Sequence, residues 1–323
     1  MGLKSSTAIA HPNFALIKYW GKSNAGGNIP AMSSLAVTLD NLMSETTVSF
    51  PKFLERDTWI LNDIEQNSLG QIQPPCDYLK KISLIDRPIL IESKNNFPTA
   101  AGLASSASGI ASLITALDKA LETNLSNQQM VEAAILGSGS SARSLFSGFV
   151  HLEVFEDQVK CETILEVEEW PLNVIVCITS TSQKEISSRQ GMEISKMTSP
   201  IYKDWVSNHH EDIEIALKAI QAKDFYQLGK ITELNCLKMH NVMKTSKPSI
   251  DYWNQVTHRC VEKVKDMQQK GIPVFFTIDA GPQVKIICEP SVSKNVMSLM
   301  RRIPGVQSII KSSLGKGARI IHE

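Results

Sequence analysis

The sequence predicts an α+β fold, on three observations. Short strand-like runs crowd the first half. Helical periodicity dominates from about 193 to 269. Further strand-like runs close the chain, without the strict alternation of strands and helices that marks a parallel α/β sheet.

Taken in order, 11–22 (HPNFALIKYWGK) reads as a strand followed by a turn. Residues 46–50, 58–61 and 89–92 are rich in β-branched and apolar side chains bounded by turn formers. Residues 105–121 read as a helix, because Ile110, Leu113, Ile114 and Leu117 keep the i, i+3, i+4, i+7 spacing of a buried face. A second helix starts near Ser126, where Ser126 and Gln129 form a capping box, and small residues interrupt it at 137–141. Residues 149–155 and 174–178 read as strands. Ile213, Ala216, Leu217 and Ile220 form one helical stripe, and Val256, Cys260, Val264 and Met267 another. Strand-like runs at 274–279, 284–288 and 318–322, with a helix near 296–302, complete the pattern. The 323 residues suit two domains, and a boundary near 180–184 divides them into 1–182 and 183–323.

Hydrophobic residues make up 42% and charged residues 20%, as in an ordinary soluble globular protein. Lys+Arg and Asp+Glu are both 33, so no global field favours nucleic acid or an anionic membrane, and any anion site must be local. The sequence lacks the apolar run of a signal peptide or of a bilayer-spanning helix. The six cysteines are scattered with no CxxC pair, which reads as reduced, cytoplasmic usage and neither a disulfide framework nor a zinc site.

Five stretches carry candidate chemistry. FPTAAGLASSASG (97–109) lies between a strand and a helix and matches neither of the common glycine-rich phosphate motifs. A small-residue loop that opens into a helix presents unpaired backbone N–H groups and the positive end of the helix dipole, which is an anion site. Ser105 and Ser106 add hydroxyls suited to phosphate or magnesium. The plainer alternative is a loop kept small for packing. Lys18 sits in an otherwise apolar strand, where an unpaired ammonium is costly and an anionic partner would relieve it. The turn GSGSSARS (137–144) surrounds Arg143 with small residues, as a phosphate or carboxylate site or as a flexible turn. Asp279 ends an apolar run before Gly281-Pro282, either as a carboxylate that needs a cation or as a turn cap. Ser187, Ser188 and Arg189 precede a helix, as an N-cap or as further anion donors. His209 and His210 have no acidic or thiol partner at ligand spacing, which argues against a histidine metal site.

Together IKYWGK (17–22), NFPTAAGLASSASG (96–109), GSGSSARS (137–144), SSRQGM (187–192) and DAGP (279–282) form one ordered set, joined by SSLAVTL (33–39) and MH (239–240). In these motifs the chain resembles the diphosphomevalonate decarboxylase family of the GHMP kinase superfamily. The resemblance implies a GHMP kinase fold, with a ribosomal S5 domain 2-like N-terminal part and a ferredoxin-like C-terminal part around a cleft. It implies the ATP- and Mg²⁺-dependent conversion of (R)-5-diphosphomevalonate to isopentenyl diphosphate, ADP, phosphate and CO₂, in the mevalonate pathway of isoprenoid biosynthesis. It further implies a cytoplasmic homodimer.

Residue by residue, the resemblance assigns catalysis to Asp279, Lys18 and Arg143, with Arg143 holding the substrate carboxylate. It assigns substrate binding, mainly of the diphosphate, to Tyr19, Lys22, Ser138, Ser140, Ser188 and Arg189. It places the nucleotide at Asn13, Pro98, Ala101, Gly102, Leu103, Ala104, Ser105 and Ser106, with Ser106 and Asp279 as candidates for magnesium contact. The proline- and glutamine-rich segment 62–77 departs from the charged hairpin and helix common in relatives. Rival readings on the same scaffold are a decarboxylase of the monophosphate, a kinase that stops after phosphorylation, and a non-catalytic nucleotide-binding protein. The joint presence of Asp279, Lys18 and Arg143 argues against the last two.

Overall fold

The computed structural model describes residues 4–24, 26–97, 105–182 and 184–322. The first half runs β1 (Ser6–Ala10), β2 (Asn13–Ile17), β3 (Ser34–Thr38), β4 (Ser44–Ser49), β5 (Thr58–Leu61), β6 (Ile64–Glu65), α1 (Gln73–Ser83), β7 (Leu90–Asn95), α2 (Ser105–Ala120), α3 (Asn127–Gly137), β8 (Phe149–Phe155) and β9 (Gln158–Leu165). The second half runs β10 (Asn173–Ile178), α4 (Ser188–Thr198), α5 (Tyr202–Gln221), α6 (Phe225–Lys244), α7 (Gln255–Gln269), β11 (Val274–Thr277), β12 (Val284–Cys288), α8 (Ser293–Arg301), β13 (Ser308–Ser313) and β14 (Arg319–His322).

The strands form three sheets, ordered β14-β1-β4-β7-β5-β6, β2-β3-β8-β9 and β11-β12-β10-β13. Among the described residues β5 and β7 pair in parallel, and the other strand pairs are antiparallel. This is the mixed α+β architecture expected from the sequence.

One expectation needs correction. β10 lies inside the third sheet between β12 and β13, so the expected boundary at 182/183 falls one strand late. The sheets divide instead between β9 and β10, and β14 returns to pair with β1. The proline- and glutamine-rich segment 62–77 holds the turn and second strand of the β5–β6 hairpin and the start of α1. Its prolines fall at the first turn of α1, where no intrahelical N–H is needed.

Local chemistry explains the elements that place the site. The Ser126–Gln129 capping box forms as the sequence predicts, and Ser187 with Gln190 makes a second one at the start of α4. α2 presents small hydroxyl side chains to β4. Ser108 meets Ser44 at 2.7 Å and Ser112 meets Thr46 at 2.8 Å, so the helix backbone approaches the sheet closely. β2 is buried along its whole length because cores cover both faces of its sheet. One core crosses the molecule. Phe14, Leu35 and Phe149 of the β2-β3-β8-β9 sheet pack with Val174, Ile213, Leu228 and Phe275 of the second half. A smaller cluster of Trp20, Met192, Tyr202, Trp205 and Met239 fills the space under the turn after β2.

Candidate active site

The buried run of β2 ends at Lys18, whose side chain is 1% exposed. Its backbone N–H donates to Asn235 Oδ1 on α6 at 2.7 Å, which fixes the turn. Its Nζ donates to the Ala15 carbonyl at 2.7 Å and to Asp279 Oδ1 at 2.6 Å. Asp279 arrives from the turn between β11 and β12, closed by a 2.7 Å bond from the Gly281 N–H to the Asp279 carbonyl. Lys285, 3% exposed on β12, stands 3.0 Å from Asp279 Oδ2. Burial alone would push the Asp279 carboxyl up, but the Lys18 and Lys285 ammonium groups outweigh it and hold it well below the usual carboxylate range. The anionic partner that Lys18 demanded is therefore part of the chain.

Arg143, 4% exposed, sits on the short 3-10 helix Ser141–Leu145. Its Nε donates to Asn13 Oδ1 at 2.9 Å and one terminal nitrogen to Ser34 Oγ at 3.0 Å, with the guanidinium over the Tyr19 ring at 5.7 Å. Asn13 Nδ2 donates to the Ser140 carbonyl at 3.1 Å and to Ser144 Oγ at 2.8 Å. With both amide hydrogens engaged and its oxygen on Arg143, Asn13 supports the guanidinium. Asn13 also lines the cleft, where the nucleotide is expected.

Lys22 and Arg189 converge on one amide. Lys22 Nζ and Arg189 Nη2, the latter at 2.8 Å, both donate to Asn28 Oδ1, and Asn28 Nδ2 donates to the Leu136 carbonyl at 2.7 Å. A Cβ at position 139 would meet the Asn28 carbonyl at 2.7 Å and the Tyr19 hydroxyl at 3.0 Å, so glycine is required where the 137–144 turn passes this pair. Ser187 is the N-cap of α4, whereas Ser188 accepts a 2.9 Å bond from Lys184 Nζ.

Every expected site residue that the structure describes lines one cleft of about 890 Å³: Asn13, Lys18, Tyr19, Lys22, Ser105, Ser106, Ser138, Ser140, Arg143, Ser188, Arg189 and Asp279. Pro98, Ala101, Gly102, Leu103 and Ala104 lie outside the described residues. α2 and α4 both open on the cleft with their first residues, which directs two positive helix ends into it. Among the described residues five cations line it (Lys18, Lys22, Arg143, Lys184, Arg189) against the single carboxylate of Asp279. In a chain of zero net charge, where any anion site has to be local, this cleft is a local concentration of cations.

The sequence reading missed Lys184, Asn28 and Lys285. Lys285 had the signal that singled out Lys18, a lysine inside an apolar strand. Lys184 and Asn28 lie in turns, where polar residues are ordinary. Gly70, Gln71 and Pro74 also line the cleft, so the 62–77 segment forms part of its wall. The histidines stay outside the chemistry. Burial pushes His240 down to about 3 and His209 down to about 4, so both are neutral near pH 7.

The donor set fits a nucleotide tail through N–H groups, hydroxyls and cations. Among the described residues no group of three or more His, Cys, Asp or Glu side chains could cage a metal. Asp279 already faces two ammonium groups, which compete with a metal ion for its oxygens. The Ser106 hydroxyl suits an ion carried mainly by phosphate oxygens and water.

A cation-lined cleft at the junction of two α+β halves, receiving helix N-termini beside one paired carboxylate, defines an enzyme of the GHMP kinase fold. Residues 10–163 match the diphosphomevalonate decarboxylase-like N-terminal domain, and residues 174–320 the mevalonate 5-diphosphate decarboxylase C-terminal domain. The chain is 31% identical to the diphosphomevalonate decarboxylase of Candida albicans, over 97% of each chain. It is 36% identical to the crystal structure of mevalonate diphosphate decarboxylase from Staphylococcus aureus, with a TM-score of 0.92 over 99% of this chain and 98% of that one. A further solved relative, in complex with MVAPP, AMPPCP and magnesium, is 35% identical with a TM-score of 0.91 over 99% of each chain. The chain belongs to the diphosphomevalonate decarboxylase family.

Proposed function

We propose that this protein is an ATP-dependent decarboxylase that converts (R)-5-diphosphomevalonate to isopentenyl diphosphate, ADP, phosphate and CO₂. The observation that carries this reading is the convergence of Lys18, Asp279 and Arg143 in one cation-rich cleft beside the N-terminus of α2. The solved relative bound to MVAPP, AMPPCP and magnesium supports the same ligand set.

The tertiary C3 hydroxyl is a poor leaving group until it is phosphorylated. Asp279 accepts its hydrogen bond and orients its oxygen toward the γ-phosphoryl group. With two ammonium partners on it, Asp279 is a weak base, so it positions the hydroxyl, whose proton passes to an oxygen of the transferred phosphoryl group as the new O–P bond forms and the bond to ADP breaks. Lys18 lies beside the transferring phosphoryl group. The new phosphate then departs with the C3–O electron pair. The C1–C2 pair moves in to form the alkene and CO₂ is released. Arg143 holds the carboxylate until that moment, with its fork preset by Asn13 and Ser34. Tyr19, Lys22, Ser138, Ser140, Ser188 and Arg189 bind the substrate, mainly its diphosphate. Ser105, Ser106 and the loop before them bind the ATP tail. Magnesium, when bound, screens the crowded phosphate charges.

We assign the N-terminal part to the nucleotide loop and the C-terminal part to Asp279 and its lysines. A cytoplasmic homodimer fits the family. Six free buried cysteines, and the absence of any membrane-spanning helix among the described residues, are consistent with that location.

The test is to incubate the protein with ATP, Mg²⁺ and, separately, 5-diphosphomevalonate, 5-phosphomevalonate and mevalonate, measuring CO₂ and ADP. CO₂ from the diphosphate alone is the expected result. CO₂ only from the monophosphate overturns the substrate, and ADP without CO₂ makes the protein a kinase.

A further inference from the structure

We propose that Lys285 is a positioning residue for catalysis, the second counter-cation that locks the Asp279 carboxylate in one ionised orientation. The proposal rests on the decarboxylase reading above.

The two lysines on Asp279 differ in place. Lys18 lines the cleft. Lys285 does not, and approaches Oδ2 at 3.0 Å from behind while Lys18 holds Oδ1 at 2.6 Å. Lys285 is carried in the middle of a sheet. It stands opposite Thr277 on β11 and Val176 on β10, so its backbone has little freedom. The strand VKIIC around it is fully buried. A lysine there is expensive to desolvate and would be replaced by an apolar residue if packing were its only task.

A carboxylate held by one ammonium can still rotate about its χ2 torsion or take up a proton on the other oxygen. Engaging both oxygens removes both freedoms and leaves the remaining lone pairs facing the cleft. Asp279 is the carboxylate of the cleft lining, and its surroundings reinforce this. It contacts Lys18 from the turn after β2 and Lys285 from β12, and it acts through the field on Tyr19 of the same turn, Arg143 of the 3-10 helix, Lys184 before α4, and Cys236 and His240 of α6. Lys285 adds positive field to Lys18 and Lys184 without occupying the space the ligands need.

The test compares wild type, Lys285→Met and Lys285→Gln. CO₂ release is followed with ATP, magnesium and 5-diphosphomevalonate across pH. Tm and the binding of a non-hydrolysable ATP analogue are measured in parallel. Lys285→Met is expected to lower kcat on the order of 10²-fold, the loss that misplacing a reacting group produces. Its KM values and Tm stay near wild type. Its kcat falls off on the acid side at higher pH than in wild type, because the carboxyl has lost one of the cations that hold it low. Lys285→Gln, which keeps an N–H for Oδ2, falls between the two. A kcat and acid limb like wild type in both variants, a loss confined to KM, or a loss matched by unfolding of both overturns the proposal. A wild-type protein that releases no CO₂ overturns the decarboxylase reading instead, so the two failures are distinct.

Discussion

Lys18 Nζ lies 2.6 Å from Asp279 Oδ1 across a sequence separation of 261, and both side chains also bond to groups that hold them in place. The pair joins the end of β2 to the β11–β12 turn and so ties the two halves together at the chemistry. Asp279→Asn is expected to reduce turnover on the order of 10²-fold, the loss that misplacing a reacting group produces. ATP-analogue binding should stay close to wild type. Single-turnover CO₂ release and calorimetric binding check this. Near-normal turnover in the variant would remove Asp279 from the mechanism.

The same pair sets a pH dependence of stability. The folded carboxyl of Asp279 is held below its unfolded value. Its contribution is therefore present above the ordinary carboxylate range, about pH 4, and lost as pH falls through the folded value. Wild type should melt above Asp279→Asn at neutral pH, and the two should converge in strong acid. Melting curves from neutral to strongly acidic buffer read this out. A constant gap would show that the carboxylate is not ionised in the folded protein.

Arg143 and Asn13 should behave as one unit. Arg143→Lys cannot reproduce the fork that spans Asn13 and Ser34. Each single change, Arg143→Lys or Asn13→Ala, is expected to lower kcat/KM. The double variant should lose much less than the combined effect, with a coupling of about 0.5–3 kcal/mol. Additive losses in a double-mutant cycle would separate the two residues.

Asn28 gathers Lys22 and Arg189 on a neutral oxygen and leaves their charge for a ligand. Asn28→Asp would neutralise part of that charge. It should raise the KM for the diphosphate substrate about 10-fold, about 1.4 kcal/mol of uniform binding, with kcat little changed. An unchanged KM would mean that these cations do not hold the diphosphate.

Gly21 adopts φ +123°, and a Cβ there would overlap the Tyr202 hydroxyl. Gly21→Ala is expected to destabilise the protein by about 1–3 kcal/mol through backbone strain alone, and by more once Tyr202 moves. Lys22 would shift with it, so activity should fall beyond the loss of folded protein. A Tm like wild type would be contrary to this geometry.

Much of this was legible in the sequence. The helix over 105–121, the Ser126 capping box and the strand over 149–155 depend on side chains close in sequence, and they form as read. Lys18 and Asp279 were legible because a charge in an apolar run is costly wherever the chain goes. The strands β1, β3 and β13 were missed, since each pairs with a strand far along the chain, and β6 and β9 were missed although each follows its hairpin partner directly. Asn28 was illegible for a related reason. Nothing local distinguishes an asparagine that holds two cations from one that makes a turn, and its partners come from α4 and from the end of α3.

The pairing of β14 with β1 has an outcome for how the molecule is made. In vectorial synthesis β1 emerges some 300 residues before the strand that covers its outer edge. Until then that edge offers unpaired N–H and C=O groups to any passing strand. A ribosome stalled before Arg319 would release a chain whose first sheet lacks its border, and such chains would be the ones that chaperones must hold.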